Sequence, residues 1–201
     1  NNSKIITCHI GNGGSVAAVL NGKVLDTSMG LTPLAGLMMG SRCGDIDAYA
    51  VTYLMEKVNM KPEEMADFLN KKSGVLGITG IYSDMRDIEN AANEGNEKAQ
   101  LALRMYEYRI KKYIGAYTAA MGGVDAIVFT AGVGENQTDL REDSCKNLEY
   151  LGIKINKEVN DKVRGEEAII STDDSKVKVV VVPTDEEIVI ARDTMELVAN
   201  K

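Results

Sequence analysis

Residues 4–29 begin with an apolar run, Ile5 and Ile6, and continue with the alternating apolar positions Val16, Ala18 and Leu20, a period of two that predicts β-strands. Two turns interrupt the alternation. The first is the glycine-rich stretch His9-Ile10-Gly11-Asn12-Gly13-Gly14. The second, Asn21-Gly22, is a dipeptide typical of type I′ hairpin turns, because both of its positions need positive φ. We therefore predict three antiparallel strands, the last of them over residues 24–29.

The glycine-rich turn 9–14 joins a strand to a strand, whereas Walker loops and dinucleotide-binding fingerprints lead from a strand into a helix. Residues without a Cβ still let backbone N–H groups approach an anion such as phosphate. The turn is therefore a candidate strand–turn–strand phosphate clamp. Taken by itself, it fits an ordinary glycine-containing hairpin better.

The middle of the chain shows helical spacing of its apolar residues. We predict helices over residues 45–57, 62–72 and 83–95, with Pro62 at a first turn and 74–80 as a glycine-punctuated connector. The loop 30–43 before them has no clean period and is dense in apolar residues. Such a loop must pack against the core or against a partner subunit.

The second half of the chain alternates strands with helices. A helix with Asn96 as its N-cap is predicted to run to about Met121, and the tyrosines of its apolar stripe are interpreted as core packing. The further predicted elements are strands over 125–130, 153–155, 168–171 and 177–182, a helix from 131–136 to about residue 150, and a final helix over 185–200.

This order of elements predicts an α/β fold with a mixed sheet, whose antiparallel part is the three-stranded meander. Ligands of such sheets bind at the loops that leave the carboxyl ends of the strands. Those loops are 9–14, 131–136 and 183–187, so we expect their polar residues to lie together. At 131–136 the glycine turn does lead into a helix, where phosphate or ribose can meet a helix N-terminus.

Composition narrows the class of protein. The 201 residues carry a formal net charge of −7, which disfavours a nucleic-acid partner. Three widely spaced cysteines favour reduced thiols and a cytoplasmic location. No apolar run reaches the ~18–20 residues of a membrane span, and there is no signal-peptide pattern. The abrupt start just before a strand is typical of a domain cut from a longer protein.

Five stretches, in order, carry a resemblance to a known family. They are HIGNG (9–13), DTSMGLTPLAGLMMGSRCGDID (26–47), SDMRDIE (83–89), TAGVGEN (130–136) and PTDEE (183–187). Together they resemble the C-terminal half of the acetate kinase family, over essentially the whole chain. The resemblance implies a ribonuclease H-like lobe of the acetate and sugar kinase, heat-shock ATPase and actin superfamily.

The resemblance also implies roles for individual residues. Those implied to lie along the phosphates of ATP or ADP are His9, Ile10, Gly11, Asn12 and Gly13. Those implied to contact the adenosine end are Asp84, Met85 and Arg86, and those implied to flank the nucleotide are Gly132, Val133, Gly134, Glu135 and Asn136. Arg42 is implied to be catalytic and Glu186 to help hold Mg²⁺.

These residue types suit phosphoryl transfer, in which catalysis is mostly positioning and charge stabilisation. A planar guanidinium such as that of Arg42 offers several donors to phosphoryl oxygens, and Mg²⁺ accepts one or two carboxylates plus phosphate oxygens. Asp45 and Asp47 also qualify as metal ligands, but Asp45 is preferred as a helix cap. His9 alone would suit a structural imidazole; with the resemblance, a phosphate-facing donor is favoured.

The chain departs from the family pattern because the family's N-terminal lobe, with its acetate-methyl pocket and further catalytic residues, is absent. We expect residues 1–185 to form the nucleotide-binding domain and 186–201 a helix that packs on that lobe. The expected function is Mg²⁺-dependent transfer between ATP and acetate, giving acetyl phosphate, in a homodimer without membrane or nucleic-acid contacts. The isolated chain is expected to be inactive. Propionate kinase and a non-catalytic actin-like module are the alternatives.

Overall fold

The structure is a computed structural model that describes residues 2–199. Within these residues one sheet contains β1 (Lys4–Ile10), β2 (Gly14–Leu20), β3 (Lys23–Thr27), β4 (Ala126–Thr130), β5 (Ala168–Ile169) and β6 (Lys178–Val181). The helices are α1 (Ala48–Val58), α2 (Pro62–Lys71), α3 (Gly74–Thr79), α4 (Met85–Asn93), α5 (Glu97–Met121), α6 (Ala131–Asn136), α7 (Thr138–Cys145), α8 (Lys157–Asn160) and α9 (Glu186–Ala199).

The sheet is mixed, and its strand order is β3-β2-β1-β4-β6-β5. The first three strands form an antiparallel meander, whereas β1–β4 and β4–β6 pair in parallel. The short strand β5 adds antiparallel to the edge of β6. The predicted α/β fold with a mixed sheet is therefore confirmed, and the arrangement is that of a ribonuclease H-like lobe.

The meander forms because its turns and its alternation agree. Asn21 and Gly22 both have positive φ, 55° and 78°, as a type I′ turn requires. The buried residues of β1 and β2 occupy alternate positions: Ile6, Cys8, Ile10, Gly14, Val16 and Ala18. These residues face the core, so a shift of one residue in register would expose the whole set.

Helix α5 supplies the other side of this core. Its N-cap Asn96 accepts hydrogen bonds from the backbone N–H groups of Lys98 and Ala99, each at 3.1 Å. The helix ends at Gly122, which has a φ of 66°. Of the predicted stripe, Tyr106, Ile110, Tyr117 and Met121 are buried, whereas Leu103 and Tyr113 are half-buried. Ile114, which lies outside the predicted stripe, is buried as well. Sequence periodicity placed both ends and the inward face of this helix correctly.

The apolar loop before α1 packs mainly into the chain's own core. Leu37, Met38 and Met39 are buried, and Leu37 and Met38 belong to the main hydrophobic cluster. Leu31 is fully exposed. The sequence left open whether this loop packs against the core or against a partner subunit. Its C-terminal half packs against the core.

Several predicted elements differ from the observed ones. Residues 74–80 are not a connector, because 74–79 form the short helix α3. The stretch 131–136 is itself helical, and the helix that follows ends at Cys145 rather than near residue 150. Residues 153 and 155 make only isolated bridges. Helix α8, where no element was predicted, is a single turn capped by Asn156.

The error at α3 has a tertiary cause. Gly74 has a φ of 62°, and a Cβ there would lie 2.2 Å from the carbonyl oxygen of Met39. The glycine therefore allows the helix to start against the apolar loop, where Val75 donates to Met39 O at 3.0 Å. Glycine spacing is typical of a connector, and it cannot reveal a contact with a loop some thirty residues earlier.

The predicted cap at Asp45 is also wrong. Asp47 is the N-cap of α1, and its Oδ1 accepts from the backbone N–H of Tyr49 at 2.9 Å. Asp45 instead accepts from the Gly36 backbone and from the Tyr113 hydroxyl. The error arises because both aspartates precede the helix at positions that suit a cap, and only long-range contacts assign them.

Two helices bury none of their residues within the described chain. Helix α1 exposes Tyr49 and Val58 at 73% and 59%, and α9 exposes Met195 and Leu197 at 73% and 71%. Exposed apolar helix faces of this kind mark contact surfaces. Among residues 2–199, no helix combines the length and the apolar character needed to cross a bilayer.

Candidate functional site

A cleft of about 580 Å³ opens at the carboxyl ends of the parallel strands β1 and β4. Three segments line it: the glycine-rich turn after β1, the start of α4, and α6. The lining residues are Gly11, Asn12, Asp84, Met85, Arg86, Gly132, Val133, Asn136 and Gln137. The edge of the sheet is the expected one, since ligands of open α/β sheets bind beyond the strand carboxyl ends.

The glycine-rich turn is held by backbone contacts. Gly11 N donates to Gly13 O at 2.8 Å, and Gly40 N donates to Asn12 O at 3.2 Å. A Cβ at Gly40 would lie 2.6 Å from Asn12 Oδ1, so only glycine permits this close approach. The turn is thus fixed both by itself and by the loop that carries Arg42.

The two predicted site residues before the turn occupy different environments. The side chain of Ile10 is fully buried in the core, so only its backbone can face a ligand. His9 is half-buried at the carboxyl end of β1, where its Cα pairs with those of Ser15 and Thr130. Neither residue lines the cleft.

The start of α4 presents an oriented guanidinium to the cleft. Asp84 caps the helix by accepting from Arg86 N at 2.9 Å, and its carboxylate also accepts from Arg86 Nε and Nη2 at 3.1 and 2.8 Å. These hydrogen bonds from the Arg86 side chain and backbone lower the pKa of Asp84 to about 2. The carboxylate therefore remains ionised at neutral pH and continues to hold the guanidinium in place.

Helix α6 forms the opposite wall. It begins at Ala131, a non-glycine residue with a φ of 65°, which is a strained conformation at the junction with β4. Gly132 and Val133 line the cleft, and Asn136 Nδ2 donates to Gly132 O at 2.8 Å. Gly134 faces away, because a Cβ there would lie 3.6 Å from Ile10 Cβ in the core.

Glu135 turns away from the cleft, although the resemblance implied that it flanks the nucleotide. The residue is only 9% exposed, and its Oε1 accepts from Thr184 N and Thr184 Oγ1, both at 2.9 Å. The side chain therefore connects α6 to the segment that leads into α9. Glu186, the predicted metal ligand, is the first residue of α9 and is exposed.

Arg42 lies beside the glycine-rich turn and does not line the cleft. A Cβ at Gly13 would be 3.5 Å from Arg42 Nη1, and the same nitrogen donates to Pro33 O at 3.3 Å. Within residues 2–199 no carboxylate lies within 4.0 Å of its guanidinium. Arg42 also borders a hollow of about 520 Å³, which Glu63 and Asp67 line as well.

The buried side chain of Arg141 holds α6 in place, and the sequence did not indicate this role. Its side chain is fully buried and donates five hydrogen bonds, to Gly134 O, Glu135 O, Asn160 Oδ1, Asn160 O and Val163 O, at 2.8–3.1 Å. Burial, and then the charge of Arg164, lower the pKa of Arg141 to about 10. An arginine in a polar helical stretch normally faces solvent, so the sequence holds no signal for this role.

Comparisons with known proteins agree with this architecture. The model of the acetokinase family matches residues 1–192. An acetate kinase of Bacteroides thetaiotaomicron is 66% identical over 194 residues, which are 96% of this chain and 49% of that protein. The crystal structure of Porphyromonas gingivalis acetate kinase superposes with a TM-score of 0.94 at 56% identity, covering 98% of this chain and 49% of that one.

A propionate kinase from Francisella tularensis is also similar. It has a TM-score of 0.88 at 38% identity, covering 95% of this chain and 48% of that chain. This chain therefore spans about half the length of the relatives that it matches.

We predict that Arg141→Met lowers the free energy of unfolding of this chain by about 3 kcal/mol or more. The substitution leaves buried carbonyl oxygens of α6 and of residues 160–163 without donors. Urea denaturation measures the loss. The control is Arg164→Met, because Arg164 is exposed and we expect a change within about 0.5 kcal/mol. Equal effects of the two substitutions would contradict the anchoring role of Arg141.

Proposed function

The chain belongs to the acetokinase family, and from that membership we propose that it is the nucleotide-binding half of an acetate kinase. The complete enzyme would transfer a phosphoryl group reversibly between ATP and acetate, giving ADP and acetyl phosphate. The cleft carries this proposal, because a glycine turn, an oriented guanidinium and a short helix meet at the edge of the sheet where ligands bind.

We propose that ATP or ADP occupies this cleft. The backbone of residues 9–13 would face the phosphates, where fixed N–H donors need little reorganisation. Asp84, Met85 and Arg86 would contact the adenosine end, opposite Gly132, Val133 and Asn136. Ile10 and Gly134 would take part through their backbones, and Glu135 would act by holding Thr184. Gln137 joins the set, since it lines the same cleft.

Arg42 is the proposed catalytic residue. Its guanidinium lies beside Gly13, at the end of the turn where the terminal phosphoryl group would emerge. A planar guanidinium can donate to two oxygens of that group as charge develops in the transition state. The lack of a carboxylate partner within 4.0 Å among residues 2–199 supports this role, because no ion pair has to break first.

The proposed metal is Mg²⁺, bound with the nucleotide. Mg²⁺ in such sites is held by one or two carboxylates together with water and phosphate oxygens, so Glu186 would suffice as a protein ligand. Glu135 supports this arrangement by fixing Thr184, two residues before Glu186. The described residues contain no group of three side chains suited to a metal, and a nucleotide-borne ion does not require one.

The identity of the acyl substrate depends on chain outside these 201 residues. A propionate kinase has the same fold at 38% identity, so propionate is the second candidate substrate. Acetate is preferred because an acetate kinase relative is 66% identical. We also propose that residues 1–185 form the nucleotide-binding domain and that the C-terminal segment 186–201 packs on the lobe that completes the enzyme. Helix α9 covers this segment as far as Ala199, and residues 200 and 201 lie outside the described part of the chain. Three free cysteines support a cytoplasmic location.

A homodimer is also proposed, and its interface is assigned to α1. The sequence favours the apolar loop 30–41 as the dimer interface, but much of the loop's apolar surface is buried in the chain's own core. Helix α1 is a better candidate, because none of its residues is buried and it presents Tyr49, Tyr53 and Val58. Aromatic residues of this kind are enriched at interfaces between proteins.

We predict that the chain binds Mg-ADP, and that Arg86→Ala weakens this binding about tenfold or more, because a charged donor leaves the cleft. Isothermal titration calorimetry measures both affinities. The matched control is Arg104→Ala, which removes an exposed helical arginine away from the cleft. Absence of binding, or equal affinity in the two variants, would refute the nucleotide site. We expect no turnover of acetate by this chain alone.

In the full-length enzyme, Arg42→Ala is expected to lower kcat by a factor of 10² or more, with the KM for ATP changed little. The reason is that the guanidinium acts on the transferring group rather than on the bound nucleotide. Steady-state assay of acetyl phosphate formation provides both constants. Turnover that survives the substitution would instead favour a non-catalytic ATP-binding module.

The dimer proposal predicts that light scattering finds twice the 21.8 kDa mass of the chain at micromolar concentration. Tyr49→Lys should shift the equilibrium to monomer, since it places a charge in the proposed apolar interface. Tyr150→Lys is the control, because Tyr150 is 77% exposed and lies outside α1. A parent chain that stays monomeric across the dilution series would rule out this interface.

A further inference from the structure

The loop that carries Arg42 is closed at its base by two hydrogen bonds between Gly36 and Asp45, one of them to the Asp45 side chain. Asp45 N donates to Gly36 O at 2.9 Å, and Gly36 N donates to Asp45 Oδ1 at 2.8 Å. Residues 36–45 therefore form a ring of chain, which we call the Arg42 loop. Its two ends meet at Gly36 and Asp45, and Arg42 lies near its tip.

The tip of the Arg42 loop is hydrogen-bonded both to the glycine-rich turn and to helix α2. Gly40 N donates to Asn12 O in the glycine-rich turn, and Cys43 N donates to Leu69 O of α2 at 3.0 Å. Across the loop, Met39 N donates to Arg42 O at 3.1 Å. A displacement at the base of the loop would therefore alter the position of Arg42, whereas the glycine-rich turn is also held by its own hydrogen bond from Gly11 N to Gly13 O.

The base is tied to α5 through the second oxygen of Asp45. The hydroxyl of Tyr113 donates to Asp45 Oδ2 at 2.6 Å, and Arg109 Nη2 donates to Asp45 O at 3.3 Å. A length of 2.6 Å is typical of a charge-assisted O–H···O⁻ bond. Burial, and then the hydrogen bond to Asp45, raise the pKa of Tyr113, so its phenol remains a donor at neutral pH.

Asp45 is not needed for the roles that short acidic stretches usually have. Asp47 already caps α1, and no group of metal-binding side chains is found among the described residues. Both carboxylate oxygens of Asp45 are instead used within the chain, one by the Arg42 loop and one by the long core helix. The side chain is therefore a bridge between these two elements.

We propose that Asp45 and Tyr113 form a positioning pair that fixes the Arg42 loop on α5 and so sets the place of the Arg42 guanidinium. This inference rests on the proposed function, in which Arg42 acts on the transferring phosphoryl group. A misplacement of about 1 Å at such a group can cost about 10²-fold in rate. The pair does not border the nucleotide cleft, so it should leave nucleotide binding unchanged.

The test uses the full-length enzyme and four single variants. We expect Asp45→Asn and Tyr113→Phe each to lower kcat about 5- to 50-fold, with the KM for ATP within about twofold of the parent. Asp47→Asn is the control for the first, because asparagine caps a helix as well as aspartate does. Tyr108→Phe is the control for the second, since Tyr108 lies on the same helix and is 61% exposed. Both controls should retain the parent kcat.

The double variant Asp45→Asn/Tyr113→Phe separates a pair from two independent effects. If the residues act together, the double variant loses about as much kcat as the more damaged single variant. Multiplicative losses, an unchanged kcat in Tyr113→Phe, or a KM for ATP that rises along with the fall in kcat would each overturn the proposal. Tyr113→Phe removes only one hydroxyl, so it tests the pair even if Asp45→Asn fails to fold.

The Arg42→Ala enzyme distinguishes a failure of the positioning role from a failure of the proposed function. If Arg42→Ala loses turnover while Asp45→Asn and Tyr113→Phe retain it, the positioning role is wrong and the proposed function stands. If Arg42→Ala itself retains turnover, the proposed function fails together with the inference that rests on it.

Discussion

Parallel pairing of β1 with β4 is the constraint on which the site depends. The register from Ile5↔Ala126 to His9↔Thr130 brings two distant segments into neighbouring strands. Because both strands run in the same direction, the turn after β1 and the helix after β4 emerge at one edge. Antiparallel pairing of β1 with β4 would have placed the turn and the helix at opposite ends of the sheet. The direction of the two strands therefore sets the position of the cleft, and the side chains only line it.

The cleft walls are held by groups that do not themselves line it. Helix α6 is short and starts at a strained residue, so its own hydrogen bonds do not suffice to fix it. Arg141 holds its last carbonyls, and Glu135 connects it to Thr184. On the other side, Asp45 and Tyr113 close the Arg42 loop. Polar side chains that do not touch the proposed ligand therefore determine how precisely the ligand-binding groups are placed.

The exposed helices show where the fold is open to further chain. Helix α9 begins beside α6, through the Glu135–Thr184 contact, and then leaves the body of the domain without burying a residue. Any lobe that covers α9 would therefore be coupled to one wall of the cleft.

Much of this protein followed from its sequence. Alternation and the Asn21-Gly22 turn determined the meander, and the apolar stripe between Asn96 and Gly122 determined α5 and its inward face. The five motifs named the family and eight of the nine residues that line the cleft. These features are local, or they are read from residue types whose physical preferences are strong, so a linear pattern suffices to find them.

Tertiary structure alone decided the rest. Gly74 starts a helix because its backbone meets Met39, Asp47 rather than Asp45 caps α1, and the Glu135 carboxylate accepts two hydrogen bonds from Thr184. Arg141, a residue type that favours solvent, became the most heavily hydrogen-bonded buried side chain described here. Each of these outcomes depends on a partner far away along the chain. A local pattern carries no information about such a partner, because the free energy of the contact exists only once the chain has folded.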